Sequence, residues 1–292
     1  MREMRIVVGV DGSPCSSAAV DWAADEAVRR GARLDLVHVA PPDWVALTAG
    51  AAAVPPSTDR TPTYVEAEAA RVHDLHPDLH VTMATLLGAP ASVLIAESDD
   101  AALVVVGARG RARVVELVVG SVSRHLAAHS RCPVVVVHEG AVRPDAPVGV
   151  GIDDSATARD ALRSAALEAQ WRGVPLVVVH AWQDQVYAAY GAWVPPVGTP
   201  EELALAADRE TRAAVAELAT QFPDLEVVVR TPMTHPVVAM RDLAREVQLL
   251  VVGTHGRGMF PGMLLGSVTS AAIHDARCPV LVTPPTKVPT PA

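Results

Sequence analysis

Ile6-Val7-Val8-Gly9-Val10-Asp11-Gly12-Ser13, near the start of the chain, returns in the second half as Val148-Gly149-Val150-Gly151-Ile152-Asp153-Asp154-Ser155. Three further landmarks return in the same order. Leu103-Val104-Val105-Val106-Gly107-Ala108-Arg109-Gly110 comes back as Leu250-Val251-Val252-Gly253-Thr254-His255-Gly256. Gly120-Ser121-Val122-Ser123 comes back as Gly266-Ser267-Val268-Thr269, and Arg131-Cys132-Pro133-Val134 as Arg277-Cys278-Pro279-Val280. Repeated order at nearly constant spacing marks a duplicated domain. A chain of 292 residues suits two such units, because domains cluster at roughly 100–150 residues. Gly140, Pro144 and Pro147 interrupt regular structure between the copies. The expected division is a first domain over 1–140, a linker over 141–146, a second domain over 147–284 and a disordered proline-rich tail over 285–292.

Within each copy, short Val/Leu/Ile runs alternate with longer Ala-rich stretches. The runs are Arg5–Val10, Leu34–Val39, His80–Leu86, Ala102–Val106 and Val134–His138, then Val148–Ile152, Leu176–Ala181, Glu226–Arg230, Leu249–Val252 and Val280–Thr283. Continuously apolar runs read as strands covered on both faces. Ser16–Arg30 and Ala156–Arg172 read as helices between them. Strand–helix alternation gives a parallel sheet with right-handed crossovers. The expected fold class is therefore α/β: two tandem doubly wound domains, each a five-stranded parallel sheet of order 3-2-1-4-5 with helices on both faces. Ligands of such sheets bind at the strand C-termini, where the strand order reverses. The proline-rich stretches Pro41-Pro42, Pro55-Pro56-Pro62 and Pro195-Pro196-Pro200 are expected to be long loops at that same end, either plain insertions or a lid.

Composition removes several function classes. Half the residues are hydrophobic and 20% charged, a globular balance. A net charge of −9 speaks against nucleic acid, which calls for clustered basic charge. No apolar run approaches the ~20 residues that span a bilayer, and Met1–Arg5 leads directly into a strand rather than a secretory signal. The expectation is a cytoplasmic protein with no membrane partner. Cys15, Cys132 and Cys278 cannot alone build a disulfide framework or a four-cysteine zinc site. The single lysine, Lys287, excludes a Walker-type phosphate loop and the kinase lysine.

Both fourth strands end in glycine and feed one pattern. Gly107-Ala108-Arg109-Gly110 is followed by nine residues and then Gly120-Ser121; Gly253-Thr254-His255-Gly256 is followed by nine and then Gly266-Ser267. Glycines let backbone N–H groups approach a phosphate without a Cβ in the way. Gly-Ser stands where the next helix begins, and free N–H groups at a helix N-terminus bind anions. Ser121 and Ser267 are expected either to cap those helices or to donate to a phosphate.

The start, the glycine loop and the Arg-Cys-Pro-Val last strand together resemble the universal stress protein family over essentially the whole chain, and the loop resembles that family's ATP-binding fingerprint. The resemblance implies ATP, with or without Mg2+, held in each copy. The site residues it implies in copy one are Gly9, Asp11, Val39, Gly107, Ala108, Arg109, Gly110, Arg111, Arg113, Gly120, Ser121, Val122 and Ser123. In copy two they are Gly151, Asp153, Asp184, Gly253, Thr254, His255, Gly256, Arg257, Gly266, Ser267, Val268 and Thr269. His38-Val39 and His180-Ala181 would meet the adenine. The resemblance also implies that two such domains pair through their last strands, within the chain or as a homo-oligomer; two phosphate loops with no catalytic base lead to the further expectation that an unknown protein partner reads the nucleotide state. Copy one departs at Ala112, where copy two has Gly258, and at Glu116; copy two departs at Asp154, where copy one has Gly12. Unequal affinities are expected.

No catalytic residue and no metal site are assigned. His125 and His129 stand one helical turn apart and could share a metal, but copy two does not repeat them. Cys132 and Cys278 read as buried small residues, while Cys15 stands close enough to the expected nucleotide for a redox role. The expectation is binding rather than turnover, with a slow ATPase or transferase and a nucleotide-free scaffold as alternatives.

Overall fold

In the computed structural model each Val-rich run forms a strand within one or two residues of its expected bounds. Residues 3–40, 62–110, 120–140, 143–153, 155–182, 199–256 and 264–285 are described, and the chain divides into two units, Met1–Gly140 and Ala141–Ala292.

Unit one contains β1 (Arg5–Gly9), α1 (Pro14–Arg30), β2 (Arg33–Ala40), α2 (Thr63–Leu75), β3 (Val81–Leu87), α3 (Pro90–Glu97), β4 (Leu103–Gly107), α4 (Ser121–His129) and β5 (Val134–Val137). Unit two repeats the order with β6 (Val148–Gly151), α5 (Ala156–Arg172), β7 (Leu176–Val179), α6 (Pro200–Ala219), β8 (Val227–Arg230), α7 (Pro236–Leu243), β9 (Leu249–Gly253), α8 (Ser267–Asp275) and β10 (Val280–Thr283). The strands of unit one lie in the order β3-β2-β1-β4-β5 and those of unit two in the order β8-β7-β6-β9-β10. Within each unit the pairs are parallel, for example Val7 beside Asp35 and Val104, and Gly149 beside Val177 and Leu250. This is the doubly wound 3-2-1-4-5 order in both copies.

Crossover handedness distributes the helices. α1 packs with α2 and α3 with α4, as α5 does with α6 and α7 with α8. Right-handed connections place the two pairs on opposite sheet faces. Hence β1, β4, β5, β6 and β9 are buried along nearly their whole length, whereas the edge strands β3 and β8 are only partly covered.

α1 and α5 pack against the centres of the two sheets and share their terminal chemistry. The Ser13 and Ser155 side chains accept hydrogen bonds from the Ser16 and Ala158 amides, and each helix ends on a left-handed glycine, Gly31 (φ 60°) and Gly173 (φ 64°). Each also buries an ion pair near its last turn. Glu26 is fully buried against Arg30 and Arg29, and Glu168 is paired with Arg172. Arg30 and Arg172 stand four residues from their glutamates and Arg29 three, the helical spacings that bring side chains together.

Candidate functional site

Where β1 turns into α1, Asp11 folds back so that its Oδ1 accepts the Ser13 amide at 2.9 Å, an Asx turn. Its other oxygen then lies against the glycine loop, 2.7 Å from where a Cβ on Gly110 would stand. Unit two reproduces both features: Asp153 accepts the Ser155 amide at 3.0 Å, and its Oδ2 occupies the position a Gly256 side chain would need. Carboxylate and loop glycine are thus brought together in both copies by strands that are neighbours in the sheet. Gly12 takes φ 72° in this turn.

Hydroxyls at the start of α1 and α5 tether the loop. Ser13 Oγ donates to the Arg109 carbonyl at 3.3 Å, and Thr157 Oγ1 donates to the His255 carbonyl at 2.5 Å. Sequence reasoning missed these tethers, because the two copies place the hydroxyl differently: Ser13 stands within its Asp-x-Ser turn, whereas Thr157 lies two residues beyond Ser155. The far end of each loop returns to its base, with Gly120 N donating to Ala108 O at 3.0 Å and Gly266 N to Thr254 O at 2.9 Å.

The glycines separate into two kinds. Gly107 is forced by packing, because a Cβ there would stand 2.7–2.8 Å from Cys15 atoms, two of them backbone. Gly253 faces Thr157 in the same way at 3.1–3.3 Å. Gly9 is crowded by Leu94 and Val106, and Gly151 by Met240. Gly120 and Gly266 are different. A Cβ on either would make only ordinary contacts, at 3.4 Å or more, but would stand 4.0 Å from Gly110 N or 3.7 Å from Gly256 N. It would stand beside the Gly110 or Gly256 amide without a clash.

Those two glycines are also the N-caps of α4 and α8, and neither helix start receives a side-chain cap. Of the two roles expected for Ser121 and Ser267, capping the helix is thereby corrected. They are the first helical residues and are exposed. Two residues on, Ser123 and Thr269 are buried, and their hydroxyls donate to the Gly120 carbonyl at 2.9 Å and the Gly253 carbonyl at 2.6 Å. Val122 and Val268 are half-buried. The first-turn amides of a helix have no intrahelical partner, so each unit presents uncapped N–H groups next to a loop glycine and an aspartate. That donor set fits a phosphate, and one carboxylate beside phosphate oxygens fits the preference of magnesium.

At the end of β2, Val39 is buried and pairs with Leu86. His38 Nδ1 donates to the Val10 carbonyl at 2.9 Å, and the Tyr64 hydroxyl stands 2.9 Å from the same nitrogen. In unit two Thr211 gives its proton to the Ala207 carbonyl (2.7 Å), so His180 Nδ1 donates to Thr211 Oγ1 at 3.0 Å. Both histidines are braced from the following helix. Ala108 is buried, and so is Thr254, whose hydroxyl finds no hydrogen-bond partner among the described residues.

Arg111, Arg113, Asp184 and Arg257 lie outside the described residues, as do Ala112, Glu116, Asp154, Gly258 and the proline-rich stretches 41–61 and 183–198. Cys15 lies behind the loop rather than open to it. Burial, reinforced by the Glu139 carboxylate that accepts its S–H at 3.3 Å, raises its pKa, which disfavours the thiolate on which a redox role depends. His125 and His129 stack on the exposed side of α4, and each Nδ1 donates to a carbonyl one turn back. No cluster of potential metal ligands occurs among the described residues, and no helix among them is long and apolar enough to cross a membrane.

Fold and site define a duplicated α/β domain with a glycine turn feeding an uncapped helix at the point where the strand order reverses. The chain belongs to the universal stress protein family, whose model matches residues 4–138 and again 146–284. A universal stress protein of Mycolicibacterium smegmatis is 38% identical, with 97% of this chain and 98% of that protein covered. Universal stress protein Rv1996 of Mycobacterium tuberculosis is 35% identical over 95% of this chain and 94% of its own length. Among solved structures, a universal stress protein from Archaeoglobus fulgidus shares the fold with a TM-score of 0.65 at 19% identity, covering 97% of this chain and 99% of that one.

Proposed function

We propose that this chain is an ATP-binding stress-response regulator that holds one adenine nucleotide in each unit, across the C-terminal ends of its strands. The carrying observation is that α4 and α8 begin on glycine with no side-chain cap. Their counterparts of the other three helix types are capped in at least one copy: α1 and α5 by serine, α6 by Thr199 and α7 by His235. In this reading the phosphates replace the missing cap and lie against Gly110, Gly120 and Ser121, or Gly256, Gly266 and Ser267. Asp11 and Asp153 would hold magnesium, whose charge would offset that of the phosphates. Arg109, Arg111 and Arg113, or His255 and Arg257, add charge at the loop rim. The sole lysine, Lys287, is not needed, because backbone amides supply the donors. Occupancy of the loops, rather than turnover, is the signal. Family membership supports a nucleotide-binding role.

The test begins with denaturing freshly purified protein and counting released nucleotide, expected to approach two per chain. Gly120→Ala and Gly266→Ala are the informative variants, since their Cβ atoms meet no clash. Each is expected to weaken ATP binding at its own unit about tenfold or more, the loss of hydrogen bonds to a charged group. The cost in stability should stay under about 1 kcal/mol. Steady-state hydrolysis should run below about one per minute, far under the ~1–1000 per second of ordinary enzymes. A protein that purifies empty, and whose melting temperature ATP does not raise, would overturn this reading in favour of a scaffold.

A further inference from the structure

The C-terminal ends of α7 and α8 lie at the opposite end of the sheet from the glycine loops. There the two units carry different charges on the same backbone. In unit one, Arg131 follows α4 and pairs with Asp99, which follows α3, at 2.8 Å. Matching α3 to α7 and α4 to α8 residue by residue sets Arg277 at the position of Arg131, Arg245 at that of Asp99, Arg241 at that of Ile95 and Asp275 at that of His129. The acid that neutralises the arginine in unit one is thus an arginine in unit two, and a further arginine replaces an isoleucine.

Arg241, Arg245, Asp275 and Arg277 line a cleft of about 250 Å³. Arg241 is held by Asp275 at 2.7 Å and Arg245 by Asp242 at 2.8 Å. Arg143 donates to the Arg245 carbonyl and brings a fourth guanidinium to the cluster. Arg277 is exposed and has no ion pair among the described residues. Two carboxylates therefore face four arginines in a chain whose net charge is −9. A helix C-terminus favours one basic residue near its last turn, which accounts for an arginine at this position in both units. It does not account for the loss of that arginine's acid partner in unit two alone.

We propose that this cleft is an anion site specific to unit two and that it takes a phosphoryl dianion. Guanidinium forks match phosphate oxygens in geometry and charge. Arg277 supplies the unpaired fork, Arg241 and Arg245 flank it, and Asp275 fixes Arg241 in place. The acidic remainder of the surface repels extended polyanions, so a single phosphoryl group is the matching ligand, whether as free phosphate or carried on a protein side chain.

Inorganic phosphate titrated into the full chain at low ionic strength, with heat as the readout, tests the site. Two variants at exposed positions serve as controls: Arg277→Gln removes the fork, and Arg245→Asp restores the acid–base pair of unit one. Either is expected to weaken phosphate binding about tenfold or more, the loss of one charge-assisted hydrogen bond or a reversal of charge. Binding should persist when Gly120→Ala and Gly266→Ala are combined, which separates this cleft from the glycine loops. A repeat with phosphoserine assigns the source: tighter binding than phosphate, lost in the same variants, marks a phosphorylated protein partner, and equal or weaker binding marks the free ion. Phosphate uptake that does not saturate in the millimolar range, is indifferent to both arginine variants, or vanishes only with the glycine pair, overturns the proposal.

Discussion

Arg5, Asp35, Thr82 and Glu97 of unit one correspond to Pro147, Val177, Val228 and Leu243 of unit two. In unit one the Arg5 guanidinium bridges Asp35 and Glu97, and Thr82 donates to Asp35 at 2.8 Å. Burial works against the Asp35 carboxylate, but Arg5 and the Thr82 hydroxyl outweigh it and hold its pKa below the usual carboxylate range. In unit two the same corner is hydrocarbon. Leu243 and Val247 press over β6 so closely that a Cβ on Gly149 would stand 2.9–3.0 Å from them, at the position where unit one carries Val7. One backbone accepts either solution, provided that the strand residue beneath is chosen to match. A partly buried ion network and a well-packed apolar cluster can serve the same fold; a half-converted corner cannot.

The largest expected effect comes from breaking the charged corner on one side. Arg5→Ala takes the partner from Glu97 and leaves Asp35 with only Arg33 and Thr82, and should cost about 3 kcal/mol, with amide exchange rising in β1 and β2 and not in β6 and β7. Equal acceleration in the two units would show that the corners are not independent. Next, Gly149→Val transplants the unit-one residue beneath the apolar corner. Overpacking against Leu243 and Val247 should cost about 2–3 kcal/mol, measured by denaturant unfolding, while Val7→Gly in unit one should leave a cavity with no compensating leucine.

The last effect concerns the last strands, is absent at neutral pH and emerges only under alkaline conditions. Burial pushes the Cys132 thiol up to about 11 and the Cys278 thiol up to about 12. Ser130 stands near the Cys132 sulfur and moderates its rise, whereas unit two has Ala276 at that position. An unfolded thiol ionises near pH 8.5 and the folded ones stay protonated, so the folded state holds the extra proton and stability falls as pH rises. The expected slope is about 1.4 kcal/mol per pH unit for each thiol, beginning near pH 8.5–9 and ending near 11 for Cys132 and 12 for Cys278. Cys132→Ala and Cys278→Ala should each flatten the alkaline limb of the melting curve, the second to higher pH.

Much of this fold is legible because its evidence is local. Val134–Val137 or Leu249–Val252 can hardly be anything but a strand buried on both faces, and duplication supplies every landmark twice. The ion-paired corner is illegible for the opposite reason, since Arg5, Asp35 and Glu97 come from three elements that only the strand order brings together. At the candidate site, sequence reasoning finds the glycines but does not sort them. Gly107 and Gly120 look alike on paper, and only packing separates a glycine demanded by the Cys15 backbone from one whose Cβ would meet no clash. Capping, one of the two roles expected for Ser121 and Ser267, misses by one residue, because glycine and serine both suit an N-cap and the choice is made by the Gly120 and Gly266 amides reaching back to Ala108 and Thr254.

Those two returning hydrogen bonds have a consequence for how the halves of the molecule could drift apart after duplication. Because entry and exit of each nine-residue connection are stitched together at the base, the cost of closing the loop is met by the stitch, not by the residues between. Arg111–Val119 and Arg257–Leu265 accordingly keep their length but share almost nothing in composition, one carrying Glu116 and no proline or glycine, the other Pro261 with Gly258 and Gly262. The stitch turns the connection into an interchangeable cassette. Selection can change the sequence of one connection without disturbing the stitch at its base.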